Sequence, residues 1–272
     1  MTQLQIEHQG RRWRVVAERA IDLSIPIDFE GAQPSCFGAP RASAEPLRVE
    51  QFVGDVIAGG SCNCPVLTLI PHCNGTHTEC VGHIVEEAFQ VTNLAPVMPI
   101  SCRVATVTPK RLASVRDFVP DPTDATDFVI DTQVLEPLLD SGKLDGCEAL
   151  VLRTLPNAPD KRVRDWSATS APYFTSAAMA ELAACHIDHL IVDLPSLDRA
   201  DDGGRLAAHR AWWGLPANSR CLADASRAHC TVTELAYVPD QVADGFYFLS
   251  LQIAPMAADA APSRPVLFPV ES

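Results

Sequence analysis

The sequence has no run approaching the roughly 18 to 20 unbroken apolar residues that a membrane-spanning helix needs, so no membrane partner is expected. It has no cluster of lysine and arginine either. The 21 basic residues are scattered or in short pairs against 34 acidic ones, a formal charge of −13, which argues against a phosphate-backbone partner such as nucleic acid. Ten cysteines are present but no CxxC pair, so a zinc ribbon is unsupported. The opening "MTQLQIEHQGRRWRVV" carries arginines without a following apolar stretch and does not read as a signal peptide. A cytoplasmic protein with free thiols is therefore expected rather than a disulfide framework. "CNC" at 62–64 is expected to be two core thiols. Internal repeats and low-complexity tracts are also missing. What remains is an ordinary globular composition, 47% hydrophobic and 20% charged, over 272 residues, long enough to bury a substantial core.

The local pattern is mixed. Val15 to Ile27 reads as a strand ended by Pro26, followed by a loop over 28–46 rich in Gly, Pro, Ser and Ala. "LRVEQFVGDVIAGG", "CPVLTLIPH", "MPISCRVATVTP", "CEALVLRTLP", "HLIVDLPSLD", "CTVTELAYV" and "GFYFLSLQIAP" read as further strands. Thr175-Ser176 is placed to cap a helix over "AAMAELAACH", and "GGRLAAHRAWW" reads as a second, short helix. No linker divides the chain. The expectation is one α/β or mixed α+β domain.

The chemistry is concentrated in "PHCNGTHTECVGH", residues 71–83, which holds three histidines, two cysteines and a glutamate. Cys73, His77, Glu79 and His83 all fall at odd positions, so an extended chain would put them on one face, with His72 opposite. Gly75 is expected to break the extended run and turn the chain so that 73, 77 and 79 converge.

This stretch resembles the HxGTHxDxPxH signature of the cyclase family, metal-dependent amide hydrolases that include bacterial kynurenine formamidase and isatin hydrolase. Gly75-Thr76-His77 falls on the motif's GTH, which puts Cys73 on the first histidine, Glu79 on the aspartate, Val81 on the proline and His83 on the last histidine. "AIDLSIPI" (20–27) is similar to the family's N-terminal strand, "HLIVDLPSLD" (189–198) to its G-[IV]-D-x-x-S-[IV]-D segment, "AAHRAWWGLP" (207–216) to the region with a downstream histidine ligand, and "TVTELAYVPD" (231–240) to the segment with a glutamate ligand. The resemblance spans about residues 20–269.

The resemblance implies a single swivelling β/β/α domain over 1–272 with a mixed sheet or barrel-like core, assembled as a homodimer or homotetramer. It implies one or two divalent ions, zinc first and manganese second. Cys73, His77 and Glu79 would hold one ion; Glu79, His209 and Glu234 the other. His83 would lie close to the substrate, either transferring a proton to the leaving nitrogen of a small-molecule amide or lactam-like substrate or serving as an additional ligand, with arylformamidase action in tryptophan breakdown as the named activity. A thiolate at 73 would add negative charge, raise the pKa of a bound water and favour zinc. Glutamate for aspartate would move the carboxylate by on the order of 1 Å. These departures motivate two alternatives: a member that binds ligand or metal without turnover, and a hydrolase with Cys73 as nucleophile. His72 is expected to be structural or to support the ligands from outside the set, the alternative being that a local shift lets it replace Cys73 as ligand. Asp193, Ser196 and Asp198 are expected to brace the scaffold, and the "AWWG" tryptophans to pack in the core.

Overall fold

The computed structural model describes residues 4–94, 98–120 and 123–271. Its frame is a closed, mixed barrel of seven strands: β1 (His77–Glu79), β2 (Ile100–Val107), β3 (Ala149–Thr154), β4 (His189–Val192), β5 (Thr231–Glu234), β6 (Gly245–Ile253) and β7 (Ala260–Glu271). Around the barrel the order is β7-β6-β2-β3-β4-β5-β1, with β1 returning to β7. β2, β3, β4 and β5 run parallel, and the remaining pairings are antiparallel. Closure leaves the ring without a free edge.

The parallel strands are buried on both faces, as continuous apolar runs such as "ALVLRT" require. Alternation then sorts their side chains. Ala149, Val151 and Ile191 join Val104, Leu249 and Leu267 in one core. Leu150, Leu152, Leu190 and Val192 join a second core with α3 (Ser176–Ala184) and α4 (Ala207–Trp213) through Met179, Leu182, Trp212 and Trp213. Thr175 caps α3 by accepting a hydrogen bond from Ala178 N–H at 3.1 Å. Both tryptophans of "AWWG" are fully buried.

Several expectations are corrected. The proposed strand over Val15–Ile27 is not continuous: Arg11–Val15 pairs with Leu4–His8, and only Ile21–Asp22 is extended in a ladder afterwards. "LRVEQFVGDVIAGG" makes a short hairpin, Arg48–Val49 with Phe52–Val53. Cys62 is exposed and Cys64 half-buried, so "CNC" is not core; it follows that hairpin on the surface. β7 was not anticipated, because Pro262, Pro265 and Pro269 speak against a strand. Their carbonyls still serve the sheet, accepting from Ala254, Leu23 and Val16 N–H groups at 2.9 Å each. The helix α2 (Thr132–Leu139), with Pro137 inside it, was also missed.

Candidate metal centre

Pro71 opens a single helical turn, α1 (Pro71–Asn74), as a proline at the first helical position favours. Asn74 closes it by accepting from Ile70 N–H at 2.6 Å and donating to the Pro40 carbonyl at 3.0 Å. Gly75 is extended rather than turned (φ 169°). Its role is close approach, since a Cβ there would lie 2.9 Å from Ile27 Cγ1. Thr76 then pins the segment across the fold, accepting from Ile25 N–H at 2.7 Å and donating to the Leu235 carbonyl.

β1 follows, and only here does the parity argument hold: His77 and Glu79 share a face. Register supplies the next ligand, because Glu234 on β5 stands directly opposite His77, their Oε2 and Nε2 3.5 Å apart. α4 brings His209, whose Nε2 is 2.8 Å from Glu79 Oε1 and 3.4 Å from Glu234 Oε1. The four side chains His77, Glu79, His209 and Glu234 are all buried.

Each histidine has its far nitrogen occupied. His77 Nδ1 lies 3.0 Å from the Gly75 carbonyl and His209 Nδ1 2.6 Å from Asp198 Oδ2, which leaves Nε2 as the lone-pair nitrogen in both. Asp198 also accepts from Ala208 and His209 N–H, so it orients the first turn of α4 together with its ligand. Ser196 in turn accepts from Asp198 N–H, as expected of a bracing loop.

Cys73 does not join this group. In a helical turn consecutive side chains differ by roughly 100°, and it is His72 that turns toward β1. His72 Nδ1 lies 3.0 Å from Glu79 Oε2, and its Nε2 2.9 Å from Asp259 Oδ2. The metal-ligating groupings at this end of the barrel are His72–His77–Glu79, Glu79–His209–Glu234 and His72–His83–Asp259; among the described residues none includes Cys73. The extended-chain expectation for residue 73 is thus corrected by α1. Burial, and then the charge of Glu234, push the Cys73 thiol up, which disfavours a nucleophilic thiolate. His83 sits at the rim, its ring 4.4 Å from that of His72 and 5.7 Å from that of His209, with Nδ1 3.4 Å from Asp259 Oδ2. Asp259, a lone acid in "APMAADAAP", carried no signal in the sequence. His72 did carry one: Pro71 at a helix start.

The electrostatics favour a cation. Burial alone would raise Glu79, yet His83 and His209 hold it well below the usual carboxylate range. Glu234 is lowered, against burial and the charge of Glu79, by the proximity of His209 and His77. Burial would lower His72, but Asp259 and Glu79 raise it to about 10; His209 is raised against burial by Glu79 and Asp198. The carboxylates are therefore kept ionised out of water by the imidazoles around them, a concentration of negative charge suited to a divalent ion.

The decisive test of fit is hydrogen bonding. His77 Nε2, His209 Nε2 and both Glu79 oxygens are buried and lack a hydrogen-bond partner, their short mutual contacts not having hydrogen-bond geometry. Buried polar atoms are seldom left so unless a water or an ion completes them, and here four of them converge on one point. Glu79 offers Oε1 on the His209 side and Oε2 on the His72 side. The donor set of imidazoles and carboxylates fits a first-row divalent metal.

A mixed seven-stranded barrel with a His- and carboxylate-lined centre at the ends of its parallel strands is the class this fold and site define. The profile of the putative cyclase family matches residues 21–199, and the chain belongs to that family. No curated protein matches it in sequence. Among solved structures it is similar to a predicted metal-dependent hydrolase from Bacillus stearothermophilus (18% identity, 92% of this chain and 98% of that one, TM-score 0.56). It is also similar to an isatin hydrolase bound to the product analogue thioisatinate (16%, 93% and 93%, 0.59) and to isatin hydrolase A from Labrenzia aggregata (14%, 93% and 94%, 0.61).

Proposed function

We propose that the protein is a metal-dependent hydrolase that adds water to the carbonyl carbon of a small amide or cyclic amide and breaks its C–N bond. The observation that carries this is the set of four buried ligand atoms without partners, on His77, Glu79 and His209. His72, His77 and Glu79 would hold one ion, and Glu79, His209 and Glu234 a second. An ion there supplies Lewis acidity toward a carbonyl oxygen and lowers the pKa of water. The preference for zinc rested on a Cys73 thiolate; with His72 in its place, zinc and manganese both suit the donor set.

His83 is the proton donor to the leaving nitrogen. Asp259 holds its Nδ1 side, so Nε2 is the nitrogen free to exchange a proton, and the ring is half-exposed where substrate would enter. Two isatin hydrolases among the structural relatives support a cyclic amide, and arylformamidase action on an N-formyl aryl amine is the open-chain counterpart. Family resemblance supports a homodimer or homotetramer as the working form.

The test is elemental analysis of the purified chain, followed by hydrolysis assays on formanilide, lactam and lactone panels. Turnover that disappears with a chelator and returns with zinc or manganese is expected. A metal-free chain with no chelator-sensitive turnover on any panel would refute the proposal.

A further inference from the structure

The opposite end of the same strands carries a second cluster. Asp188 immediately precedes β4, and His229 and Cys230 immediately precede β5. β4 and β5 are adjacent and parallel, so the two approaches run side by side, tied by Thr231 N–H donating to the Asp188 carbonyl at 2.9 Å. Cys230 is four residues before Glu234 along β5, ~13 Å at the rise of an extended strand. This cluster is therefore separate from the candidate centre.

Its geometry suits a tetrahedral ion. His229 Nε2 lies 3.3 Å and Cys230 Sγ 3.7 Å from Asp188 Oδ1, and all three ligand atoms fall within 4.8 Å of one another. Zinc bonds of about 2.0 Å to nitrogen and oxygen and about 2.3 Å to sulfur, at tetrahedral angles, place neighbouring ligand atoms roughly 3.3–3.6 Å apart. The His229–Asp188 edge falls in that range and the Cys230–Asp188 edge just beyond it. Beyond Asp188, the sulfur meets the Ile187 carbonyl at 4.0 Å and the side chain of Arg227. Asp188 and His229 are largely exposed, which leaves room for water as a fourth ligand.

We propose that Asp188, His229 and Cys230 form a second, non-catalytic site for zinc or a similar borderline-soft divalent ion, which clasps the starts of β4 and β5. One oxygen, one nitrogen and one sulfur donor bind, the thiol proton leaving to solvent. Arg227 does not occupy the site: its Nε donates to the Trp212 carbonyl, another guanidinium nitrogen to that of Ile187, and the group stacks on Trp212.

Cobalt(II) titration of the full chain tests this, because thiolate ligation gives a charge-transfer band in the near ultraviolet that imidazole and carboxylate ligands do not. The wild-type chain is expected to show the band, Cys230→Ser to lose it, and Cys73→Ser to keep it. His229→Ala, a surface change that leaves the fold alone, is expected to lower the metal-to-protein ratio by one. Absence of the band in the wild type, a band undiminished in Cys230→Ser, or an unchanged ratio in His229→Ala would overturn the proposal. None of these readouts depends on turnover.

Discussion

Two buried charged clusters lie side by side at the same end of the barrel, and they differ in one respect. Lys161, Thr154 and Asp193 form a closed network. The lysine Nζ donates to Asp193 Oδ2 at 2.8 Å, to Thr154 Oγ1 at 2.8 Å and to the Thr154 carbonyl at 2.7 Å, using all three protons. Asp193 is further satisfied by Thr154 N–H and Oγ1. One parallel strand away, His77, Glu79, His209 and Glu234 are as deeply buried, yet four of their ligand atoms find no hydrogen bond. The first cluster is complete without anything else and serves as scaffold. The second is complete only with a cation.

Breaking the second cluster should have the largest effect. Glu79→Gln keeps the shape but removes the shared charge. Metal content should fall and hydrolysis drop by at least about 10²–10³-fold, the loss from one electrostatic stabiliser, while the chain in chelator becomes more thermostable, not less. Metal analysis and melting curves with and without chelator check this; retention of full metal content would count against a bridging Glu79. Breaking the first cluster should act the other way. Lys161→Met leaves Asp193 unpaired in the interior, at a cost of roughly 3–5 kcal/mol. Denaturant titration should show that loss equally with and without metal, and metal stoichiometry should stay unchanged.

The edge of the metal cluster offers a finer contrast. Asp198→Asn loosens His209, and His72→Ala removes the residue that α1 turns inward; each should weaken metal affinity by roughly 10–100-fold. Cys73→Ser should leave both affinity and stoichiometry as they were. If the ordering came out reversed, with Cys73→Ser the damaging change, α1 would have to rearrange around the ion.

What was legible in the sequence follows the same division. His77, Glu79, His209 and Glu234 could be named because each lies in a short motif whose order along the chain is fixed, and the fold brings those motifs to one end of one barrel. The central strands were legible because parallel strands buried on both faces are written as apolar runs. Residue 73 was misplaced because the motif alignment, like strand parity, was carried across Pro71–Asn74, where one helical turn changes the side-chain period from 2 to 3.6. Asp259 was invisible because it reaches His72 and His83 across a sequence gap of more than 170 residues with no motif around it. β7 was hidden by three prolines whose carbonyls, not their missing N–H groups, make the ladder.

A third charged group lies between these extremes and gives the smallest expected effect. Asp127 accepts from Arg199 Nε at 2.8 Å, from Tyr173 Oη at 3.2 Å and from Ser170 Oγ at 3.1 Å, but the arginine is partly open to solvent. Burial raises the carboxyl, and the Arg199 bond and charge more than offset it, so its folded pKa lies below the ordinary value of about 3.9. A depressed carboxylate contributes stability that is fully present above the unfolded pKa and is lost as pH falls through the folded one. Arg199→Gln should therefore cost about 1 kcal/mol near neutrality, and the gap between variant and wild type should close as the pH drops below the carboxylate range. Urea midpoints measured across that range check it. A gap independent of pH would mean that Arg199 acts here through packing on its neighbours, and that this group belongs with the closed scaffold of Lys161 and Asp193, not between the two clusters.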